Sequence, residues 1–121
     1  MPYTNEWNTK GLRRTFNGPI TGTEVIVSNF NIQNDERFNK IDYVLNDFTE
    51  IESFNISDFH ISQISAMDHF SEPANNRLKI IIVTTDENFL KFVNMYLTQM
   101  QDSSFDCVVF NDMESALKSI N

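Results

Sequence analysis

Polar and apolar positions alternate in short blocks along this chain, and the first two blocks predict a β-hairpin. Tyr3 to Trp7 and Leu12 to Phe16 carry aromatic and branched side chains on either side of Lys10-Gly11. Asn17-Gly18-Pro19 then reads as a break, because proline removes a backbone donor and glycine admits positive φ. Thr21, with Glu24 three residues on, has the spacing of a capping box, in which hydroxyl and carboxylate each take a free backbone N–H. The helix it opens runs from about Gly22 to Gln33, with Glu24, Ser28 and Asn31 on its polar side. The β-branched run Val25-Ile26-Val27 argues locally for strand instead.

Ile41 to Leu45 predicts a strand that ends in Asn46-Asp47-Phe48. A second helix starts near Ser57, a good N-cap, and runs to about Ser71 before Pro73 stops it. Its polar stripe is Asp58, Ser62, Ser65, His69 and Glu72, with Phe59, Ala66, Met67 and Phe70 on one flank and Ile61 and Ile64 on the other. Most of that helix is therefore expected to be covered. Leu78 to Val83 is nearly continuous hydrophobe, the pattern of a strand buried on both faces of a parallel sheet. Thr84-Thr85-Asp86 caps a third helix reaching about Met100, with polar residues Glu87, Lys91, Asn94 and Thr98 in a narrow wedge. Phe89, Val93, Tyr96, Leu97 and Met100 form its inward arc. Phe92 and Met95 point furthest from the inferred core, so either they form the surface of a symmetric homodimer or the neighbouring helix or the N-terminal hairpin covers them. Phe105 to Phe110 is the last strand, and Asp112 opens a short helix with Met113, Ala116, Leu117 and Ile120 inward.

The order is ββαβαβαβα. Parallel strands need crossovers, so this alternation predicts an α/β fold with a mixed, mostly parallel sheet and helices packed on it. At 121 residues, one domain spanning 1–121 is expected, with no linker or internal repeat.

Charge narrows the choice of partner. Seventeen acids against nine bases give a net charge of −8, a poor start for binding phosphate backbones, so no nucleic acid is expected. Between Lys40 and Arg77 there is no Lys or Arg, while Asp42, Asp47, Glu50, Glu52, Asp58, Asp68 and Glu72 fall inside that stretch. It reads as a solvated surface or as a docking face for a basic protein partner. The single cysteine, Cys107, excludes an internal disulfide and suits a reducing compartment. The start of the chain lacks the n- and h-regions of a secretory signal, and the longest apolar run, Ile80 to Val83, is far short of the roughly 20 residues of a membrane span. A cytoplasmic protein without a membrane span is the expectation.

Several segments together resemble a known family. The hairpin leading through Phe16-Asn17-Gly18-Pro19-Ile20-Thr21 into a helix, the strand end Tyr43-Val44-Leu45-Asn46-Asp47, the helix opened by Ser57 and two further strand–helix units resemble the SpoIIAA-like, or STAS-like, anti-sigma-factor-antagonist fold. Lys10-Gly11-Leu12, Thr21-Gly22, Asn46-Asp47-Phe48 and Thr84-Thr85-Asp86 resemble a branch of small stand-alone bacterial proteins within it. The group is similar in topology to the lipid-binding CRAL-TRIO domains. The resemblance implies that Ser57 occupies the position where signalling members carry a phosphorylatable Ser. The segment here, Asn55-Ile56-Ser57-Asp58-Phe59, lacks the family's preceding Asp and following Gly, and Asp58 adds a charge beside the hydroxyl.

Candidate chemistry is sparse. Ser57 is explained as an N-cap, and phosphorylation there would add about −1.5 to −2 charges at a helix N-terminus. Asn46, Asp47, Thr84, Thr85 and Asp86 are expected at the C-terminal ends of two central strands, where open α/β sheets bind ligands; with Asp58 they are the candidate ligand or partner edge. Short polar residues there also cap helices and close turns. His69 with Glu72 has i, i+3 spacing but no further ligand, so no metal is expected. Cys107 shares a strand face with Phe105 and Val109 and reads as a buried, inert thiol. No catalytic constellation and no Gly-rich phosphate loop is present, the glycines being Gly11, Gly18 and Gly22 alone, so no cofactor and no enzyme activity is expected. The leading expectation is a non-enzymatic regulatory or protein-interaction domain working through its acidic second helix. The alternative is a carrier or sensor of a small apolar ligand, which would need a cavity of about 300 Å³ or more.

Overall fold

The structure, a computed structural model, describes residues 2–120. Strands β1 (Tyr3–Trp7) and β2 (Gly11–Thr21) form the antiparallel hairpin, with Tyr3 opposite Phe16 and Trp7 opposite Leu12. The expected break after Phe16 is corrected: Asn17-Gly18-Pro19 lies inside β2. Two register shifts against β3 absorb it, between Thr15 and Asn17 and between Gly18 and Pro19, and Gly18 takes a positive φ of 66°. Proline is tolerated in a sheet at a bulge or an edge. Both apply here, because β1 last reaches β2 where the Asn17 N–H donates to the Pro2 carbonyl at 2.8 Å.

The third strand is also longer than its sequence suggests. β3 (Tyr43–Asn55) pairs with β2 along its whole length, but β4 (Lys79–Val83) covers only Tyr43 to Asp47. Its second half is a two-stranded extension with β2, so its residues are mostly exposed and locally resemble a loop. β5 (Asp106–Phe110) completes a sheet of order β1-β2-β3-β4-β5, parallel except for β1. The element order is the expected one, and the fold is α/β with a five-stranded mixed sheet.

Helices α1 (Gly22–Gln33), α2 (Asp58–Ser71) and α3 (Glu87–Gln99) each follow a parallel strand. Right-handed crossovers that all advance in one direction place their helices on one face of the sheet. Alternate residues of each strand therefore go to two cores. Leu12, Phe16, Val44, Phe48, Ile80 and Ile82 meet α1, α2 and α3. Leu45, Ile81 and Val83 meet Ala116 of α4 (Met113–Lys118) on the opposite face. No helix among the described residues is long and apolar enough to cross a membrane.

Helix faces differ from their sequence pattern in a consistent way. Ser28 is fully buried in α1, while Val27 and Phe30 are exposed. On α2, Ser65 and Asp68 are buried, while Phe59 and Phe70 are exposed. The polar residues turn inward because neighbouring elements offer them partners: Ser65 donates to Gln99 of α3, and Ser28 accepts from Arg14 of β2. The outward orientation expected of Phe92 and Met95 is corrected too. Both pack, half-buried, against the main core, and Phe92 meets Phe54 edge-on at 5.8 Å between centroids. Phe54 belongs to the part of β3 that the sequence pattern does not reveal.

Candidate functional site

Asn46 and Asp47 are consecutive in a strand, so their side chains leave the sheet on opposite faces. Asn46 enters the core under the helices. Its Oδ1 accepts from Arg14 Nε at 2.9 Å and Nη2 at 2.6 Å, and its amide donates to the Ile81 carbonyl at 3.2 Å. Asp47 faces the other way, accepting from the Thr49 N–H at 2.9 Å and the Thr49 hydroxyl at 2.7 Å. Thr84 is buried, and its hydroxyl accepts from the Asp86 N–H at 3.2 Å. Asp86 caps α3 by accepting from the N–H groups of Asn88 and Phe89. Thr85 is exposed. These five residues are divided among two sheet faces, a turn and a cap, rather than gathered on one ligand-facing edge.

Ser57 caps α2 reciprocally with His60. The Ser57 hydroxyl accepts from the His60 N–H at 3.4 Å, and the Ser57 N–H donates to His60 Nδ1 at 3.0 Å. This is the capping-box arrangement with an imidazole in place of the usual carboxylate. The ring also lies over Gly22, where any Cβ would run into His60 Cγ and Nδ1, so the N-termini of α1 and α2 sit against each other. Ser57 and Asp58 are both exposed.

Between sheet and helices lies a polar network that sequence reading misses. Arg14 is buried and donates through Nη1 to the Ser28 hydroxyl at 2.8 Å, in addition to its two bonds to Asn46. Burial pulls its guanidinium down to about 10, and the charge of Asp68 opposes that shift. Asp68 of α2 is buried as well, taking hydrogen bonds from the Tyr96 hydroxyl at 2.5 Å and Gln33 Nε2 at 2.8 Å. Burial pushes its carboxyl up to about 6, against those same hydrogen bonds and the Arg14 charge. Arg14 and Asp68 face one interior cavity of about 80 Å³. The rest of its wall is mostly apolar, Val25, Ile64, Ile82 and Phe89 among it, and its volume falls well below the roughly 300 Å³ of an organic-ligand pocket. Strand periodicity is the available signal: Leu12, Arg14 and Phe16 share a face, and the first and last are core.

His69 pins the end of α2 to the turn after α3. Its Nε2 is 2.9 Å from the Gln99 carbonyl and its Nδ1 is 2.9 Å from Glu72 Oε2. The backbone bond to Gln99 and the contact with Glu72 raise its pKa. Glu72 is held down at about 2, chiefly by the Ser104 N–H. No cluster of three or more metal-ligating side chains occurs among the described residues. Cys107 is half-buried, and burial pushes its thiol up to about 12, which removes the thiolate needed for reactivity.

The outer surface of α1 and α2 is the unusual part of the exterior. On α2, Phe59, Gln63, Ala66 and Phe70 follow i, i+4, i+7, i+11 spacing and share the outward ridge. Phe59 is 68% exposed and Phe70 89%. On neighbouring α1, Phe30 is 58% exposed and Val27 49%. Neither helix contains Lys or Arg, the exposed Asp58 opens α2, and the exposed Glu50 and Glu52 lie on the extended half of β3 that leads towards it. The surface is thus aromatic with an acidic end. No family model, no curated protein and no solved structure matches this chain.

Proposed function

We propose that this chain is a non-enzymatic protein-interaction domain whose docking face is the outer surface of α1 and α2. The observation that carries the reading is the exposure of Phe59 and Phe70 on one ridge of a helix that contains no Lys or Arg. Isolated apolar residues on a surface are ordinary, but large aromatic side chains grouped on adjacent helices mark contact sites. Charge selects the occupant. A basic amphipathic helix places its apolar stripe on the exposed Phe59 and Phe70 and a cation against Asp58 in the first turn of α2. The order ββαβαβαβα is the one that the SpoIIAA-like resemblance implies, and regulatory partner binding is what that family would supply.

The reading of Ser57 follows from its geometry. As half of a reciprocal cap it serves α2 itself, and the missing flanking residues leave the switch motif incomplete. The alternative of an apolar-ligand carrier draws little support from an interior cavity of about 80 Å³.

Affinity capture from cells of the native source tests the proposal, with the wild-type chain and a Phe59→Ser/Phe70→Ser variant as parallel baits. The expected result is a protein with a basic amphipathic segment, retained by the wild type, lost by the variant and released by raised salt. Equal retention by both baits, or retention indifferent to salt, rejects this face.

A further inference from the structure

The outward ridge of α2 has an internal symmetry. Phe59, Gln63, Ala66 and Phe70 are spaced four, three and four residues apart, so the ridge reads the same from either end, with its midpoint between Ile64 and Ser65. Neighbouring α1 is centred on the same level. Gly22 lies against His60 at one end, and Asn29 and Gln33 both bond Asp68 at the other. Val27, five residues on from Gly22, therefore stands level with Ser65, five on from His60. We propose that two copies of this chain dimerise through this face, packing α2 antiparallel about a two-fold axis at that midpoint, with Phe59 of each copy against Phe70 of the other. The inference rests on the docking face proposed above for its location and names a second occupant, so self-association and partner docking exclude each other.

Three observations lead there. A two-fold contact is isologous, so the patch must match itself after a half-turn. A half-turn about the midpoint exchanges Phe59 with Phe70 and Gln63 with Ala66, and it leaves the exposed Val27 beside the axis, facing Val27 of the second copy. The short side chain of Ala66 at the centre lets the two helices approach, since interaxial distance follows the side chains at the contact.

Charge is the second observation. The chain carries −8, so a contact between two copies must keep like charges apart. After Asp58 the exposed positions of α2 are Phe59, Ser62, Gln63, Ala66 and Phe70, and those of α1 are Thr23, Val27, Phe30 and Asn31, none of them charged. The half-turn brings Asp58 of one copy level with Ser71 of the other, so the two Asp58 side chains stay about 20 Å apart along the helix, beyond the screening length at ordinary ionic strength. Area is the third. At their exposures, Val27, Phe30, Phe59 and Phe70 offer roughly 500 Å² per copy, given that one phenylalanine buries about 150–250 Å². Two copies together reach about 1,000 Å², the lower limit of a specific interface, which makes a weak dimer that dilution or a partner takes apart.

Sedimentation equilibrium of the full chain, from low micromolar to millimolar concentration, tests the inference. The average mass should rise with concentration from one copy towards two, and should stay at one copy throughout in Phe59→Ser/Phe70→Ser. A second measurement fixes the geometry. Phe59→Cys and Phe70→Cys proteins, mixed at high concentration under mild oxidation, should form disulfide-linked dimers about tenfold or more faster than either variant alone, because a disulfide needs Cα atoms within about 7 Å. In either variant alone the two new cysteines lie about 16 Å apart along the helix. Cys107 is present in every sample, and the wild type gives its background. A single-copy mass at millimolar concentration overturns the inference, whether or not the wild type captures a partner. So does a dimer that persists in Phe59→Ser/Phe70→Ser, or a mixture that links no faster than its components. A wild-type dimer lost in the double variant, with no partner captured from cells, supports this inference and counts against the face as a dock for another protein.

Discussion

The two faces of this sheet receive the same strands but different cover. Three helices seal one face, and every second residue of β2–β4 beneath them is buried, including the charged Arg14. One helix of six residues, α4, serves the other face and packs against β4 and β5. Topology explains the inequality, since crossovers of one hand advancing in one direction can only stack helices on one side. Side chains follow the cover. Leu12, Phe16, Val44 and Phe48 point under the helices, while Glu6, Arg13, Tyr43 and Asp47 occupy the thinly covered side. The difference shows in how firmly each face holds a charge. Arg14 on the covered face is held by three hydrogen bonds from its guanidinium, whereas Arg13 on the open face has one longer contact, to Asp47 at 3.7 Å.

Neighbouring arginines on β2 give the sharpest test of this contrast. Removing one member of a buried charged network leaves its partners uncompensated, at a cost of about 3–5 kcal/mol. Arg14→Leu is expected to lower stability by that amount in urea denaturation. Arg13→Leu, one residue along and on the other face, removes one longer contact to Asp47 at 3.7 Å from a half-exposed side chain, and should cost clearly less than Arg14→Leu. Equal effects at the two positions would erase the distinction between faces.

Asp68 extends the comparison to pH. Burial raises its pKa from 3.8 to about 6, so between those values the folded protein holds a proton that the unfolded chain has released. Stability from this group is full below about pH 4 and is lost as pH rises through about 6. The loss is on the order of 2–3 kcal/mol, because each tenfold change in proton affinity is worth about 1.4 kcal/mol. Urea denaturation between pH 4 and 7 should show the decline in the wild type and not in Asp68→Asn. His69 has a raised pKa as well and contributes with the same sign, its main causes, the Gln99 carbonyl and Glu72, being present in both proteins. Parallel curves would mean that Asp68 titrates like an exposed carboxylate.

Glycines offer a smaller pair of effects. A Cβ at Gly22 would collide with the base of the His60 side chain, which the Ser57 cap holds in place. A Cβ at Gly11 would strike the ring of Tyr43, which stands on the thinly covered side and can swing aside. Gly22→Ala should therefore cost about 1–2 kcal/mol, as overpacked sites do, and Gly11→Ala clearly less. Thermal unfolding of the two variants checks the order, and the reverse order would show the thinly covered side to be the more rigid.

What can be read from sequence divides along similar lines. Helix starts are legible because their signals are local: Thr21 with Glu24, Ser57, Asp86 and Asp112 all cap as expected. The ends of β2 and β3 are not. Asn17-Gly18-Pro19 has the composition of a turn, and only pairing with Glu50, Ile51 and Ser53 of β3 holds it extended. Helix faces fail for a related reason. Ser28, Ser65 and Asp68 are polar by type but have partners on neighbouring elements, which one helix's own pattern cannot disclose. Of the candidate edge, Asn46 and Thr84 are internal, while the aromatics that the pattern of α2 assigns to covered flanks stand in solvent.

The smallest stability effect belongs to Phe70, and its smallness is the informative part. A phenylalanine in a core costs about 3–5 kcal/mol when truncated, because both its transfer energy and its packing are lost. Phe70 is 89% exposed, so folding withdraws almost none of its ring from water. Phe70→Ser should leave the stability measured in urea within about 0.5 kcal/mol of wild type. Phe92→Ser should cost more, since Phe92 packs on Phe54 and the main core. If Phe70→Ser destabilises the isolated chain as much as Phe92→Ser, the ring is covered in solution by another part of the same molecule or by a second copy. Light scattering over a dilution series separates those two cases. An unchanged midpoint, with partner capture lost, is what an aromatic side chain kept for an external contact requires.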